Sequence, residues 1–279
     1  MDAGEWLQEA HGRLRASGVP HPGRDALLLL SHTLRADKAE VLAHPEREIP
    51  PPVLPLLQSV LARREGREPL QYIRGFQEFW GRRVRVGPGC LIPRPETEHL
   101  VETALNLLRG RSAPRIAEAG AGSGAVLLAL SVERADAVLL GLERETGALA
   151  WSRANLCGRP NAHLVQGDFL RPPLAGGLDL VISNPPYVTD PEWDDLPPEV
   201  RLFEPEQALR CGPSPLAPYR ALAAIAAWAL RPGGHLLCEI GTAQARRARA
   251  LRSLHEGLLW RFSRRDLAGR LRVVAWERP

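Results

Sequence analysis

The stretch Asp179-Leu180-Val181-Ile182-Ser183-Asn184-Pro185-Pro186-Tyr187 decides the fold, because an apolar run ends here at a polar amide that two prolines follow. Leu180 to Ile182 have the aliphatic and β-branched character of a strand that is covered on both faces. Proline lacks the backbone N–H that a central strand needs, so the strand must end before Pro185. Asn184 is therefore predicted to lie at the carboxyl end of a buried strand, where open α/β sheets bind their ligands.

The four residues from Asn184 to Tyr187 combine hydrogen-bond acceptors with a stiff backbone. Neither Pro185 nor Pro186 has a backbone donor, whereas the Asn184 side-chain oxygen and the Pro185 carbonyl can accept the two N–H bonds of a planar amine or amide. Pro186 and Tyr187 would then be the walls of the pocket. Asn-Pro alone is more typical of a turn that an Asx-type hydrogen bond closes. The whole tetrapeptide after an apolar strand favours a catalytic clamp for an NH2 group.

The chain on both sides of this stretch alternates predicted strands with predicted helices. The expected strands are residues 115–119, 137–142, 162–165, 180–182 and 235–240, with late segments at 258–262 and 271–276. Helices are expected after the first two strands and on either side of the strand at 235–240. This repetition predicts an α/β domain whose sheet is mostly parallel and doubly wound, with right-handed crossovers and an antiparallel finish.

A glycine turn and a distant acid predict a nucleoside cofactor. The first strand leads into Gly120-Ala121-Gly122-Ser123-Gly124, a turn that lets the backbone approach a ligand closely. Glu143 follows at the end of the next strand, about 20 residues on, which is the spacing of an acid that binds ribose hydroxyls. A plain strand-to-helix turn would also use these glycines, but it would not explain why polar residues end four successive strands.

The residues around the glycine turn favour S-adenosylmethionine over NAD as the cofactor. The turn has the pattern G-x-G-x-G, so it lacks the third glycine at the spacing of the pyrophosphate fingerprint G-x-G-x-x-G. Glu118, just before the turn, would repel a diphosphate and attract an amino-acid ammonium group. Asp168, at the end of the third strand, is placed to meet an adenine amino group. Phe169 is placed to pack on the adenine ring.

Residues 1–72 are predicted to form a small helical domain without a catalytic constellation. Apolar side chains recur at helical spacing near its start, namely Trp6, Leu7, Ala10 and Leu14, and prolines divide the region into short helices. Residues 73–93 predict a hairpin around Gly81 that links this domain to a second one at 94–279.

The segment Leu91-Ile92-Pro93-Arg94-Pro95-Glu96-Thr97-Glu98 is stiff and leads into a helix. Pro95 and the carboxylates after it fit the first turn of that helix. Good capping alone accounts for these features. Arg94, which stands between two prolines, is in addition predicted to position the substrate together with Pro95.

Composition narrows the class of protein. The 279 residues are 44% hydrophobic and 24% charged, which is ordinary for a globular chain. No apolar run approaches the ~20 residues of a membrane span, and the acidic start is unlike a signal peptide, so we expect a cytoplasmic protein that does not contact membranes. No metal site is expected, because the cysteines lack ligand spacing at positions 90, 157, 211 and 238.

The net charge of +4 is unevenly distributed, since arginine is concentrated between Arg246 and Arg278. A basic face of this kind can contact nucleic acid or an RNA-bound partner. A solvated, arginine-rich surface explains the same residues equally well, so nucleic-acid contact has only weak support.

On these motifs the chain resembles the release-factor glutamine methyltransferases, the PrmC/HemK family, over essentially its whole length. The matching segments are residues 78–80, 91–98, 120–124, 184–187 and 203–205. The resemblance implies a Rossmann-like class I methyltransferase domain that uses S-adenosylmethionine, preceded by a helical domain that binds the substrate. It further implies N5-methylation of the glutamine in the Gly-Gly-Gln loop of class I peptide-chain release factors. Glu118 and Glu143 stand where aspartate is usual in the family.

Two other functions remain compatible with the motifs. N6-adenine methyltransferases share Asn-Pro-Pro-Tyr and would act on RNA or DNA, whereas a non-catalytic cofactor-binding module would only dock on a translation factor. The helical N-terminal region and the Arg94 segment favour glutamine methylation over adenine methylation. The clamp at Asn184 beside the glycine turn disfavours a non-catalytic module.

Overall fold

The computed structural model describes residues 1–169 and 176–279, which divide into two compact units. The first unit is Met1–Phe76 together with Pro197–Phe203, and the second is Gln77–Leu196 together with Glu204–Pro279. A short segment of the proline-rich insertion therefore belongs to the first unit, although both of its flanks belong to the second.

The first unit is helical, as the sequence predicts. Residues at helical spacing in its first helix are fully buried, namely Trp6, Ala10 and Leu14, and they pack with leucines of the second and fourth helices. Asp2 and Glu5 form a capping box that satisfies backbone N–H groups at the start of the first helix. In chain order the helices are α1 (Ala3–Ala16), α2 (Pro22–Leu34), α3 (Lys38–Ala43), α4 (Leu54–Glu65) and α5 (Leu70–Arg74), with a 3-10 turn at Pro51–Val53.

Ion pairs hold the short helix Pro198–Phe203 within the first unit. Arg64 is 5% exposed, and it donates to Asp25 at 2.8 Å and to Glu199 at 2.9 Å. Arg67 donates to both carboxylate oxygens of Glu199, at 2.8 and 2.7 Å. Because a buried charge that loses its partner is strongly destabilising, each of these groups depends on the others.

A two-stranded hairpin surrounds Gly81 and consists of β1 (Phe76–Phe79) and β2 (Arg82–Arg85). It is shorter than the segment from 73 to 93, because α5 extends to Arg74 and residues 86–94 form no strand. Gly75 ends α5 in the left-handed conformation, with φ at +77°, which is a common way to terminate a helix. That the hairpin links two domains remains a prediction.

The second unit contains the seven-stranded sheet and the helices that cover it. A 3-10 turn at Pro95–Thr97 follows the hairpin. The elements after it are, in chain order, α6 (Glu98–Leu107), β3 (Arg115–Ala119), α7 (Ala125–Glu133), β4 (Val138–Glu143), α8 (Thr146–Asn155), β5 (Ala162–Gln166), β6 (Leu178–Ser183), α9 (Asp190–Asp194), α10 (Pro198–Phe203, of the first unit), α11 (Glu206–Leu209), α12 (Ala217–Ala229), β7 (Leu230–Glu239), α13 (Thr242–Ala245), α14 (Ala248–Leu251), β8 (Leu259–Arg265) and β9 (Leu271–Glu277).

The strand order in the sheet is β5-β4-β3-β6-β7-β9-β8. Strands β3 to β7 pair in parallel, and β9 is antiparallel to both of its neighbours, β7 and β8. The predicted doubly wound α/β sheet with an antiparallel finish is thus confirmed. The strand of reversed direction lies between β7 and β8 because the last two strands form a hairpin that adds to β7 through β9.

Strand β6 lies in the middle of the sheet and is buried along its whole length. Val181 packs with residues of α12, β7 and β9 in one apolar core. Leu180 and Ile182, which point to the opposite face, are 0% exposed, so both faces are covered. The carboxyl ends of β3, β4, β5 and β6 consequently meet at one edge of the sheet.

No helix in 1–169 or 176–279 is long and apolar enough to cross a membrane.

Candidate active site

A cavity of about 630 Å³ lies at the carboxyl edge of the parallel strands. Its volume is within the range of small-molecule and cofactor sites. Residues that the sequence predicts to form the site contribute to its lining: Gly120, Gly122, Glu143, Asp168, Phe169, Asn184 and Pro186. The structure thus brings together the glycine turn after β3 and the polar residues after β4, β5 and β6.

The glycine turn gives the cavity a floor of bare backbone. Gly120 and Gly122 have φ values of +74° and +55°, which residues with a side chain rarely adopt. A Cβ atom built on either residue meets no atom within 4 Å, so a side chain there would project into open space. Gly124 precedes α7. Ala121 and Ser123 are each 5% exposed and pack inward.

Glu143 ties the end of β4 to this turn. Its Oε2 accepts from the Gly122 N–H at 2.8 Å, and its Oε1 accepts from the Glu145 N–H at 2.9 Å. A carboxylate has about four lone-pair positions, so two backbone bonds leave acceptors for a pair of hydroxyl groups. The geometry fits the predicted ribose contact.

Asp168 and Phe169 follow β5 and line the cavity side by side. Phe169 also packs against the apolar core that β6 shares with α12. Its ring therefore has a firm support on one side and the cavity on the other. This arrangement suits a flat aromatic base that lies beside the Asp168 carboxylate.

Glu118 lies behind the turn and is absent from the lining formed by the described residues. It is 3% exposed, and its Oε2 has no hydrogen-bond partner within 1–169 and 176–279. Burial, and then the charge of Glu143, raise the pKa of Glu118 well above its ordinary value. An unpaired polar atom in a buried position is costly. Direct contact between Glu118 and an ammonium group remains a prediction.

The tetrapeptide after β6 divides between the cavity and its support. Asn184 and Pro186 line the cavity, whereas Pro185 is buried and Tyr187 lies outside the lining that the structure describes. The Tyr187 ring packs on Gly241, where a Cβ atom would come within 2.7 Å of it. Burial raises the pKa of Tyr187. Gln244 donates to the Tyr187 carbonyl at 3.0 Å. Tyr187 therefore anchors the segment, and its part in the reaction remains a prediction.

Arg94 forms an ion pair with Glu204 at 2.5 Å. Glu204 also accepts from the Ile92 N–H at 2.9 Å, so one buried carboxylate fixes the segment that contains Arg94. Pro95 begins the 3-10 turn that follows. Neither Arg94 nor Pro95 belongs to the described part of the lining. Their proposed contact with the substrate is untested.

The sequence did not single out the residues of the far wall. They come from the proline-rich insertion and the start of α12, and they include Gln207, Ala208, Arg210 and Pro218. The segment Phe203-Glu204-Pro205 was the available signal, because it directly precedes them. Short helices and turns without a hydrophobic period gave no other indication.

Within 1–169 and 176–279 no group of three histidine, cysteine, aspartate or glutamate side chains could hold a metal ion.

Charged side chains of the second unit outside the cavity are largely paired within that unit. Several arginines of the basic C-terminal stretch have internal partners: Arg261, Arg264 and Arg272 pair with Glu277, Glu102 and Asp266. This pairing reduces the charge that is available to nucleic acid.

Two family models match the chain, one within each unit. One is described as the PrmC N-terminal domain and matches residues 5–75, and the other as the methyltransferase small domain and matches residues 97–196.

Relatives match over nearly the whole length. A protein named release factor glutamine methyltransferase from Nitratidesulfovibrio vulgaris is 41% identical over 96% of this chain and 92% of its own. Another of the same name from Deinococcus radiodurans is 37% identical over 100% of this chain and 99% of its own. A solved structure of a protein-(glutamine-N5) methyltransferase (release factor-specific) from Alicyclobacillus acidocaldarius is 27% identical, with a TM-score of 0.41, and the match covers 70% of this chain and 98% of that one.

Proposed function

Since this chain belongs to the release factor glutamine methyltransferase family, we propose that it methylates the side-chain amide nitrogen (N5) of the glutamine in the Gly-Gly-Gln motif of class I peptide-chain release factors. S-adenosylmethionine, when bound, supplies the methyl group. The residues of the cavity fit this cofactor: bare glycine backbone, the spare acceptors of Glu143, and Asp168 with Phe169. A cytoplasmic location accords with such a substrate.

The orientation of Asn184 carries the proposal. Its Nδ2 donates to Thr97 Oγ1 at 3.3 Å, and the residue lines the cavity. The amide oxygen, on the other arm of the planar group, is left for a substrate N–H. An acceptor at this position recognises an NH2 group, and it would repel a substrate that presents only oxygen atoms.

An amide nitrogen is a poor nucleophile because its lone pair is delocalised into the carbonyl group. The chain must therefore position this nitrogen and stabilise the positive charge that builds on it. Asn184 Oδ1 and the Pro185 carbonyl would accept hydrogen bonds from its two N–H groups and hold the nitrogen in line with the methyl group. These hydrogen bonds would strengthen as the charge develops. No strong base is required, because the nitrogen becomes acidic once the N–C bond has formed, and water can take the proton.

The helical first unit is the proposed docking surface for the release factor. All described residues that line the cavity belong to the second unit, so the first unit contributes nothing to this lining. Its match to a separate family model supports a separate role in recognition. Arg94 and Pro95 are proposed to assist at the entrance for the substrate.

Mass spectrometry of reaction products tests the proposal. The protein is incubated with S-adenosylmethionine and either a class I release factor, the same factor with its Gly-Gly-Gln glutamine changed to alanine, or an adenine-containing RNA. We expect one added methyl group, located on that glutamine, in the first reaction only. Methylation of the RNA instead would establish the alternative adenine methyltransferase.

A further inference from the structure

A hydrogen-bonded chain of three side chains lies behind the cavity. Asn184, after β6, donates through Nδ2 to Thr97 Oγ1 at 3.3 Å. Thr97, at the end of the 3-10 turn before α6, donates to Glu239 Oε2 at 2.6 Å. Glu239 ends β7 and is 1% exposed, and Thr97 is 4% exposed. Side chains from three separate elements are thus linked in series, and the first of them, Asn184, lines the cavity.

The direction of these two hydrogen bonds follows from the number of protons that each side chain can donate. An ionised carboxylate can only accept, and a threonine hydroxyl has a single proton to donate. The Thr97 proton is committed to Glu239, so Thr97 Oγ1 can only accept from its other neighbour. That neighbour must present its NH2 group, which is the arm of Asn184 that the structure places there.

We propose that Thr97 and Glu239 are positioning residues, which fix the Asn184 carboxamide with its oxygen towards the substrate amide. This inference rests on the proposed function, since a substrate NH2 group requires an acceptor at that point. A reversed carboxamide would present donors to the donors of the substrate and would oppose productive binding.

The electrostatics of Glu239 make the orientation sensitive to pH. Burial raises the pKa of Glu239 to about 7, against the lowering effects of the Thr97 hydrogen bond and of Arg272 and Arg94. The charged and titratable groups that act on it come from several elements: Arg272 on β9, Arg94 and Glu96 before α6, Tyr187 after β6 and Tyr219 on α12. A protonated Glu239 becomes a donor to Thr97, and the Thr97 proton is then free to turn towards Asn184. The carboxamide can reverse, so the reaction should slow as the pH falls through this pKa.

Paired variants of the full-length chain test the positioning role in single-turnover reactions with saturating release factor and cofactor. Thr97→Val keeps the shape of the side chain but removes the hydroxyl, so the rate should fall roughly 10- to 100-fold while cofactor affinity is retained. Thr97→Ser restores the hydroxyl and should restore most of the rate. Glu239→Gln should be slow and should lack the loss of rate in acid. A wild-type rate in Thr97→Val, or an unchanged acid limb in Glu239→Gln, would overturn the proposal.

A second measurement separates this inference from the proposed substrate. In the free protein the ¹⁵N-labelled side-chain amide of Asn184 should titrate in NMR spectra near neutral pH, and this titration should vanish in Glu239→Gln. The absence of titration in the wild type would refute the role of Glu239. If the wild type instead methylates no release factor, the proposed function fails, and the amide titration still decides the positioning role.

Discussion

Glu143 Oε2 accepts a hydrogen bond from the Gly122 N–H at 2.8 Å, so the acid that ends β4 also holds the turn that follows β3. One side chain thereby shapes the floor of the cavity and offers acceptors to a ligand on it. Loss of this carboxylate should affect both tasks.

Glu143→Ala should weaken binding of S-adenosylmethionine by about 1.5–3 kcal/mol, the usual contribution of charge-assisted hydrogen bonds. Calorimetric titration measures the change in affinity. Glu143→Gln is the matched control, because it keeps the shape and one acceptor oxygen and should bind with intermediate affinity. Equal affinity of Glu143→Ala and the wild type would exclude the ribose contact.

Glu118 should release a proton when the cofactor binds. Burial raises the pKa of Glu118 well above its ordinary value, and a cationic ligand in the cavity would favour the ionised form and lower that pKa. Calorimetry in buffers of different ionisation enthalpy counts the protons released. We expect a release in the wild type that Glu118→Gln lacks. The same proton count in both proteins would remove Glu118 from the cofactor site.

Asn184→Ala should retain the cofactor and lose most of the chemical rate, because the contact of Asn184 strengthens as charge builds on the substrate nitrogen. The fall in kcat should be about 100-fold or more, as for other preorganised hydrogen bonds. Asn184→Asp keeps an acceptor but turns a second oxygen towards Thr97, so it should bind cofactor and turn over poorly. Single-turnover rates at saturating substrate decide the matter. A change confined to apparent affinity would make Asn184 a binding residue only.

Deletion of residues 1–70 should spare cofactor affinity and abolish methylation of an intact release factor. The reason is that the lining of the cavity belongs to the second unit, whereas recognition of the whole factor is assigned to the first. A short peptide that contains Gly-Gly-Gln serves as the control and should still be methylated. Full turnover on the intact factor by a deletion variant that still binds cofactor would disprove the docking role.

Much of the sheet was predictable because buried parallel strands appear in sequence as short apolar runs. Strand β3 has the same bounds that the sequence predicts, Arg115–Ala119. The direction of Glu118 follows from strand alternation, since Ala117 and Ala119 face the core that α12 covers and Glu118 must face the other way. Glu118 directly precedes the glycine turn in the sequence, and this position alone had suggested that its side chain faces the cavity.

Contacts between distant segments could not be predicted in the same way. Thr97 and Glu239 are 142 positions apart, and they meet only because β7 lies beside β6 in the sheet. Nothing in the run Leu236-Leu237-Cys238-Glu239 distinguishes a carboxylate that supports catalysis from one that simply ends a strand. Register and strand order supply that information, and a single sequence contains neither.

Because α10 belongs to the first unit while its flanks belong to the second, the two units cannot be exchanged between relatives at a single junction. Glu199 pairs with Arg64 and Arg67 of the helical unit, whereas Glu204, shortly after it, pairs with Arg94 of the catalytic unit. A chimaera made with one crossover near residue 76 would inherit the helical bundle from one parent and α10 from the other. Its Glu199 would then depend on arginines that had not evolved with it. Exchange of the helical unit between relatives therefore requires two additional junctions, on either side of Pro197–Phe203, and natural variation in Arg64, Arg67 and Glu199 should be inherited as a set.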